Sequence, residues 1–371
     1  MKVLTKISIF CAVAVFFCAC NPVVPTPDKK GSSVTSFYLL NEGSMGADNA
    51  SLDFYNYADS TYARNYFTEI NPNVVGGLGD VGNDLKIYGS KLYAVINGSN
   101  LVVVMDAKTA RQVGVVEVPK CRYIAFYNGK AYVSAWAADA DWGVSKIGYV
   151  VEIDTATFEK QRTVNVGREP EEIEFLGGKM YVANSGSYNS SNGGNNRDST
   201  VSVVNIQSFT EEKKIDVALN LRNLRKDKYG KLYALALGNY GDIDPDIYVI
   251  ENEQKVGKLG IYASNFCISG DSLYVLSNNT NWETYENIAK YYIYNIKNQA
   301  LVTENFVTDG SQTNIQASYG IAVNAATKEI FVTDVKDYMS IGEVFCFSPS
   351  GVLKWKHLTG VIPSKIAFLE E

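Results

Sequence analysis

Apolar and polar positions alternate along this chain in short runs, and the runs recur in a fixed order. An apolar strand passes through a Gly-rich or polar turn into a second strand that carries an aromatic. Examples are IYGSKLYAV (87–95), AFYNGKAYVS (125–134), EFLGGKMYVA (174–183) and ISGDSLYVL (268–276). The aromatics fall at Tyr38, Tyr93, Tyr132, Tyr181, Tyr233, Tyr274 and Phe331, with successive spacings of 55, 39, 49, 52, 41 and 57 residues. A third strand follows and ends in a polar residue, as in SLDFYN (51–56), LVVVMD (101–106), GYVVEID (148–154), TVSVVN (200–205) and YYIYN (291–295). A more polar fourth strand completes each unit, as in QVGVVEV (112–118), QRTVNV (161–166), EKKIDV (212–217) and LVTENFV (301–307). Period-two alternation rich in Val, Ile, Tyr and Phe, with no window of helical period, predicts an all-β chain. Four strands every 40–50 residues or so is the period of a β-propeller blade. Seven units predict a seven-bladed β-propeller.

The two ends fit together. The first unit begins at its second strand, VTSFYLL (34–40), with no inner strand before it. The last residues, SKIAFLEE (364–371), align with the inner strands IEFLGG (173–178) and IAFYNG (124–129). A ring must not leave an open sheet edge. The C-terminal strand is therefore expected to pair into the N-terminal blade and close the propeller.

The start of the chain has a different character. Lys2 and Lys6 precede an apolar run, Ile7 to Ala19, that is too short to span a bilayer. The run ends in Phe17-Cys18-Ala19-Cys20, which resembles a bacterial lipobox and implies lipidation of Cys20. Residues 1–19 then read as a lipoprotein signal peptide, 20–33 as a lipidated tether, and 34–371 as the propeller. The tether holds Pro22, Pro25, Pro27 and Gly31 and almost nothing that can be buried. Such a chain is anchored to a membrane by lipid alone.

Composition narrows the function. Without Lys2 and Lys6, 32 of the 34 basic residues remain against 40 acidic ones, a net charge of −8. No Lys/Arg block stands out, which argues against a nucleic-acid partner and against an electrostatic membrane patch. Cys121, Cys267 and Cys346 lie in three different units and are expected as buried, unpaired thiols. There is one histidine, His357, on an expected outer strand. No His/Cys cluster has zinc spacing. The acidic turn with Asp242, Asp244 and Asp246 has calcium-binding residue types, but it lacks EF-hand spacing and a distal Glu, so no metal cofactor is expected. The pair Glu171-Glu172 reads as a solvated surface feature. With acid–base groups this scarce, the chain is not expected to be an enzyme.

The variable segments lie between second and third strands, on the face where the blades are also joined to one another. They hold Asn41, Asn97, Trp136, Trp142, Tyr188, Tyr240, Trp282, Tyr285 and Tyr338 among Asn, Ser and Gly, and so include three of the four tryptophans. Rigid aromatics among small polar residues make a recognition surface. Nearer the axis, the joins between blades place Arg122, Arg168 and Arg222 beside amides, a set able to bind anionic or amide groups.

The stretch GGLGDVGNDLKIYGSKLYAVINGSNLVVVMDAKT (76–109), with the opening FYLLNEG (37–43) and the lipobox, resembles the YncE-like propellers of the DUF5074 family. More narrowly, the chain is similar to the surface cobalamin-binding lipoproteins of the BtuG type. That resemblance implies a cell-surface protein of the outer membrane that binds cobalamin (vitamin B12) or other corrinoids. It also implies delivery to a TonB-dependent outer-membrane cobalamin transporter. Glycan capture on the aromatic loops, or a periplasmic scaffold that docks proteins, are the alternatives that the residues alone leave open.

Overall fold

Seven four-stranded antiparallel sheets make up the protein in a computed structural model that describes residues 34–139, 146–187, 196–281 and 286–370. Each sheet is one blade, and residues 33–371 form one compact unit. In blade 1 the order is Pro363–Glu370, Val34–Asn41, Ser51–Asn56, Thr61–Ala63, so the chain's last strand is the inner strand of its first blade. The closing pair runs from Val34 opposite Glu370 to Asn41 opposite Pro363, in continuous register from Ser36 to Leu40 and with a shift at each end. Blades 2 to 7 follow in chain order, each with its own inner strand: Gly82–Tyr88, Cys121–Tyr127, Pro170–Leu176, Leu221–Lys226, Asn265–Ser269 and Ser318–Val323.

Local chemistry accounts for the repeat. The polar residue that ends a third strand caps the turn after it. Asp106 accepts from the Lys108 and Thr109 amides, Asp154 from Ala156 and Thr157, and Asn205 from Gln207 and Ser208. A short side chain that bonds the backbone two or three residues on folds the chain into a tight turn. The recurring aromatics occupy one register position. Tyr93, Tyr132, Tyr181, Tyr233, Tyr274 and Phe331 pair with Lys86, Ala125, Glu174, Arg225, Cys267 and Ala322 of their inner strands, and Tyr38 pairs with Ala367.

The core lies between blades. Each of the seven apolar clusters draws on two neighbouring blades. At the closing seam, Phe37 of blade 1 stacks on Tyr55 at 5.1 Å and meets Phe331 of blade 7 edge-on at 5.2 Å. Trp355 stacks on Tyr55 at 4.8 Å, and His357 lies flat on Tyr62 at 4.7 Å. The lone histidine is thus part of an aromatic seam on the outer strands. Among the described residues Cys121, Cys267 and Cys346 are free thiols; Cys121 and Cys346 are buried, whereas Cys267, expected to be buried, is half-buried.

Some expectations need correction. The variable segment expected around Trp282 and Tyr285 is shorter than its composition suggests, because the second and third strands of blade 6 run on as Ser272–Asn281 and Glu286–Asn295, paired from Ser272–Asn295 out to Asn281–Glu286. Hairpin hydrogen bonding extends these strands through polar residues that carry no alternation. The fourth strand of that blade stops at Thr303, because Asn305 turns on the Thr303 hydroxyl and sends Phe306 and Val307 into the core. A short helix, Tyr66–Ile70, packs Phe67 into the core between blades 1 and 2.

Candidate functional site

Inner strands run along the axis, and their first residues surround a funnel of about 340 Å³ that opens on the loop face. Its floor is built by strands distant in sequence: Tyr123 from blade 3, Arg222 from blade 5, Tyr319 from blade 7 and Lys365 from the closing strand. Glu42 joins them from the end of the second strand of blade 1. Its backbone is fixed on both sides, because its N–H donates to Ile362 O (2.8 Å) and its carbonyl accepts from Gly82 N (2.9 Å). Tyr240, Tyr262 and Tyr338 stand above as walls. Tyr338 meets Tyr319 edge-on at 6.0 Å.

Amides fix the rim. Asn265 Nδ2 donates to Tyr319 O (2.7 Å), and Asn278, on the extended hairpin of blade 6, is bonded in both directions to Ser318. At Gly320 a Cβ would lie 2.2 Å from Ser364 O, so glycine is what lets the inner strands of blades 7 and 1 approach on the axis.

Electrostatics divide the funnel. The Tyr319 hydroxyl donates to Glu42 at 3.2 Å. Burial pushes the Glu42 carboxyl up, and Arg222, Lys365 and Tyr319 only partly offset it. The Arg222 guanidinium is pushed up, with Tyr123 the largest cause and Tyr319 and Glu171 adding to it against its own burial. The Lys365 ammonium sits 5.2 Å over the Tyr123 ring and 3.5 Å from Glu172.

Directly below, Glu172 collects an unusual number of donors. It accepts from the Leu224 amide (3.0 Å), Asn223 Nδ2 (2.9 Å) and Arg225 (2.8 Å). Its neighbour Glu171 pairs with Arg122 at 2.9 Å, and the Arg122 guanidinium lies 4.6 Å over the Trp136 ring. Both acids are buried, 3% and 2% exposed, so the expectation that Glu171-Glu172 is a solvated surface pair is overturned. In a closed ring these positions face the neighbouring blade's inner strand rather than water. Asp84 does the same as Glu172 two interfaces earlier, accepting from the Ile124 amide at 3.1 Å.

The residues singled out from sequence separate into groups. Arg222, Tyr240 and Tyr338 come together in the funnel. Arg122 and Trp136 form the stacked, acid-paired unit beside it, where the Trp136 indole N–H is buried without a hydrogen-bond partner among the described residues. Asn41 is fully buried with its amide on Ser51, and Asn97 donates to Cys121 O (2.7 Å), tying blade 2 to blade 3. Arg168 ends the outer strand of blade 3, exposed and away from the funnel lining. Trp142, Tyr188, Trp282, Tyr285 and Cys20 fall outside the described residues or their described side chains.

Two aspartates of the acidic turn have protein partners. Asp246 accepts from the Gly260 amide (3.0 Å) and pairs with Lys258 (3.1 Å), while Asp242 accepts from Asn239 (2.6 Å). Among the described residues no group of three or more His, Cys, Asp or Glu is placed to hold a metal ion. Sequence reasoning missed Lys365, Tyr262 and Asn278. Lys365 was legible in principle, because the closing strand aligns it with Glu172 in the repeat.

Comparison with known proteins places this architecture. The fold is similar to a quinonprotein alcohol dehydrogenase-like protein of Bacteroides thetaiotaomicron, at 16% identity and TM-score 0.63, covering 91% of this chain and 79% of that one. It is similar to hydrazine synthase of Kuenenia stuttgartiensis, at 17% identity and TM-score 0.56, over 71% of this chain and 75% of that one. A computationally designed protein, Ika8, matches at 11% identity and TM-score 0.54, covering 89% of each. At such identities the likeness shows the propeller fold alone. No curated protein matches. One family model, "Domain of unknown function (DUF5074)", matches residues 35–351. The chain belongs to the DUF5074 family.

Proposed function

We propose that this protein is a non-catalytic capture module that binds cobalamin or a related corrinoid over the axial funnel. In this reading a lipid on Cys20 holds it at the outer membrane, facing the cell exterior, and a TonB-dependent transporter receives the ligand. The observation that carries the binding reading is the funnel itself, a concave site on the axis walled by tyrosines and floored by fixed hydrogen-bonding and charged groups. A corrin is a broad disc fringed with amides, which suits flat aromatic edges and amide partners. The funnel is framed by paired strands, so little reordering is needed on binding. Exposed apolar residues on the loop segments, Met45 (71%), Val75 (99%) and Met339 (80%), suit a protein partner docking around the mouth.

Calorimetric titration of the purified mature protein with cyanocobalamin tests this. Saturable heat at micromolar ligand is expected. Tyr338→Ala, which removes a half-exposed wall residue, should weaken binding by about 1–3 kcal/mol. Absence of heat in the wild-type protein ends the corrinoid reading. Heat that Tyr338→Ala and Tyr240→Ala both leave unchanged moves the site out of the funnel.

A further inference from the structure

The funnel floor carries more positive charge than its surroundings account for. The protein as a whole is acidic, with a formal net charge of −6. Yet Arg222 and Lys365 both line the floor, and among the described residues Glu42 is the single carboxylate lining it. Arg222 forms no ion pair with a carboxylate among the described residues, unlike Arg122 and Arg225 on neighbouring inner strands. Lys365 has Glu172 at 3.5 Å, but that acid is already engaged by Arg225, Asn223 and the Leu224 amide. The Tyr123, Tyr319 and Ser364 hydroxyls surround the two cations in the same lining. Planar guanidinium groups bind carboxylate and phosphate through two parallel hydrogen bonds. A concave, partly desolvated site strengthens such attraction over that on an open surface.

We propose that the funnel floor is an anion site, which takes a carboxylate or phosphate-ester group of the ligand on Arg222 and Lys365. Glu42 is its internal competitor. It faces Arg222 from blade 5, Tyr319 from blade 7, and Lys365 and Ser364 from the closing strand, and its carboxylate attracts both cations from within the same lining. An entering anion must tolerate that carboxylate, so affinity rises when Glu42 loses its charge. Burial raises the Glu42 carboxyl, which therefore takes up its proton above the ordinary carboxylate range as pH falls. The site then gains net positive charge, and anion binding tightens toward lower pH. The inference rests on the funnel being a ligand pocket and does not require that the ligand be a corrinoid.

Sulfate is the probe of choice, because its charge does not change between neutral and mildly acidic pH. The mature protein would be titrated with sodium sulfate against sodium chloride at matched ionic strength, by calorimetry and tyrosine fluorescence. One saturable sulfate site is expected, tightening as pH falls. Arg222→Gln should weaken it about 10- to 100-fold, the range for a charged hydrogen-bonded partner. Lys365→Gln should weaken it less, and Glu42→Gln should tighten it at neutral pH and flatten the pH dependence. Melting curves identify any variant that fails to fold, and the Arg222 and Lys365 variants serve as independent readouts. Parallel titrations with methyl phosphate and acetate separate a phosphate-ester source from a carboxylate one. No saturable sulfate binding, or equal binding in both cation variants, overturns the proposal. Cyanocobalamin heat without sulfate binding would sink the anion site and leave the corrinoid reading standing. Sulfate binding lost in Arg222→Gln, with no cyanocobalamin heat, would do the reverse.

Discussion

Deleting residues 363–371 is expected to open the ring and abolish cooperative unfolding of what remains. The deleted strand is the inner strand of blade 1, paired to Val34–Asn41 along its whole length. Its removal leaves that strand's backbone donors and acceptors facing water at an open sheet edge. Two apolar clusters lose members at once: Ala367 and Leu369 on the blade 2 side, Ile366 and Phe368 on the blade 7 side. Three large side chains at about 1.5–3 kcal/mol each, discounted because Ile366 and Phe368 are only partly buried, already approach a domain's net stability of about 5–15 kcal/mol. The Thr333 hydroxyl also loses Pro363 O, its 2.7 Å acceptor across the seam. Calorimetric melting of the truncated and full-length mature chains decides the matter. A single sharp transition at the full-length temperature in the truncated chain would show that the closing strand is dispensable. Phe368→Ala keeps the strand while thinning the aromatic seam, so it should still melt cooperatively, at a lower temperature.

Most of this architecture was legible because its determinants are local. Alternation, a second-strand aromatic, and an Asp or Asn that caps the next turn each act within a few residues and recur in unit after unit. The vacancy at Val34 and the spare strand at the end were legible together, since one fills the other. What escaped detection depends on contacts between blades. Glu171 and Glu172 look like surface acids from their neighbours in sequence, but they are buried by Arg122 and by Arg225 and Lys365 from other blades. Asn278 looks like loop, but pairing with Ala289 across a hairpin makes it strand. Asn41 and Asn97 have the composition of a binding loop, and position alone did not reveal that their amides belong to Ser51 and Cys121. Of the candidate site, the face and Arg222, Tyr240 and Tyr338 were legible. The approach of Glu42 to Lys365 on its floor was not, because those two meet only when the ring closes.

Glu172→Ala should destabilise the protein strongly while making its funnel more attractive to anions, two effects of opposite practical sign from one substitution. Glu172 is 2% exposed and ties three blades together on the axis. It accepts from Asn223, the Leu224 amide and Arg225 of blade 5, and it balances Lys365 of the closing strand. Truncation leaves a buried amide N–H without its acceptor and two cations without their nearest acid. Breaking a buried pair from one side costs about 3–5 kcal/mol, most of it from the group left behind. Glu172→Gln keeps an acceptor for the Leu224 amide and loses only the charge, so its melting temperature should fall between those of wild type and Glu172→Ala. Lys365 then lacks its 3.5 Å counter-charge, and the potential at the funnel floor rises. Sulfate affinity should therefore increase in Glu172→Gln, measured at a temperature where that variant is folded. A stable Glu172→Ala protein would mean that water replaces the carboxylate on the axis. Unchanged sulfate affinity in Glu172→Gln would mean that the lower acids and the funnel cations are electrostatically separate.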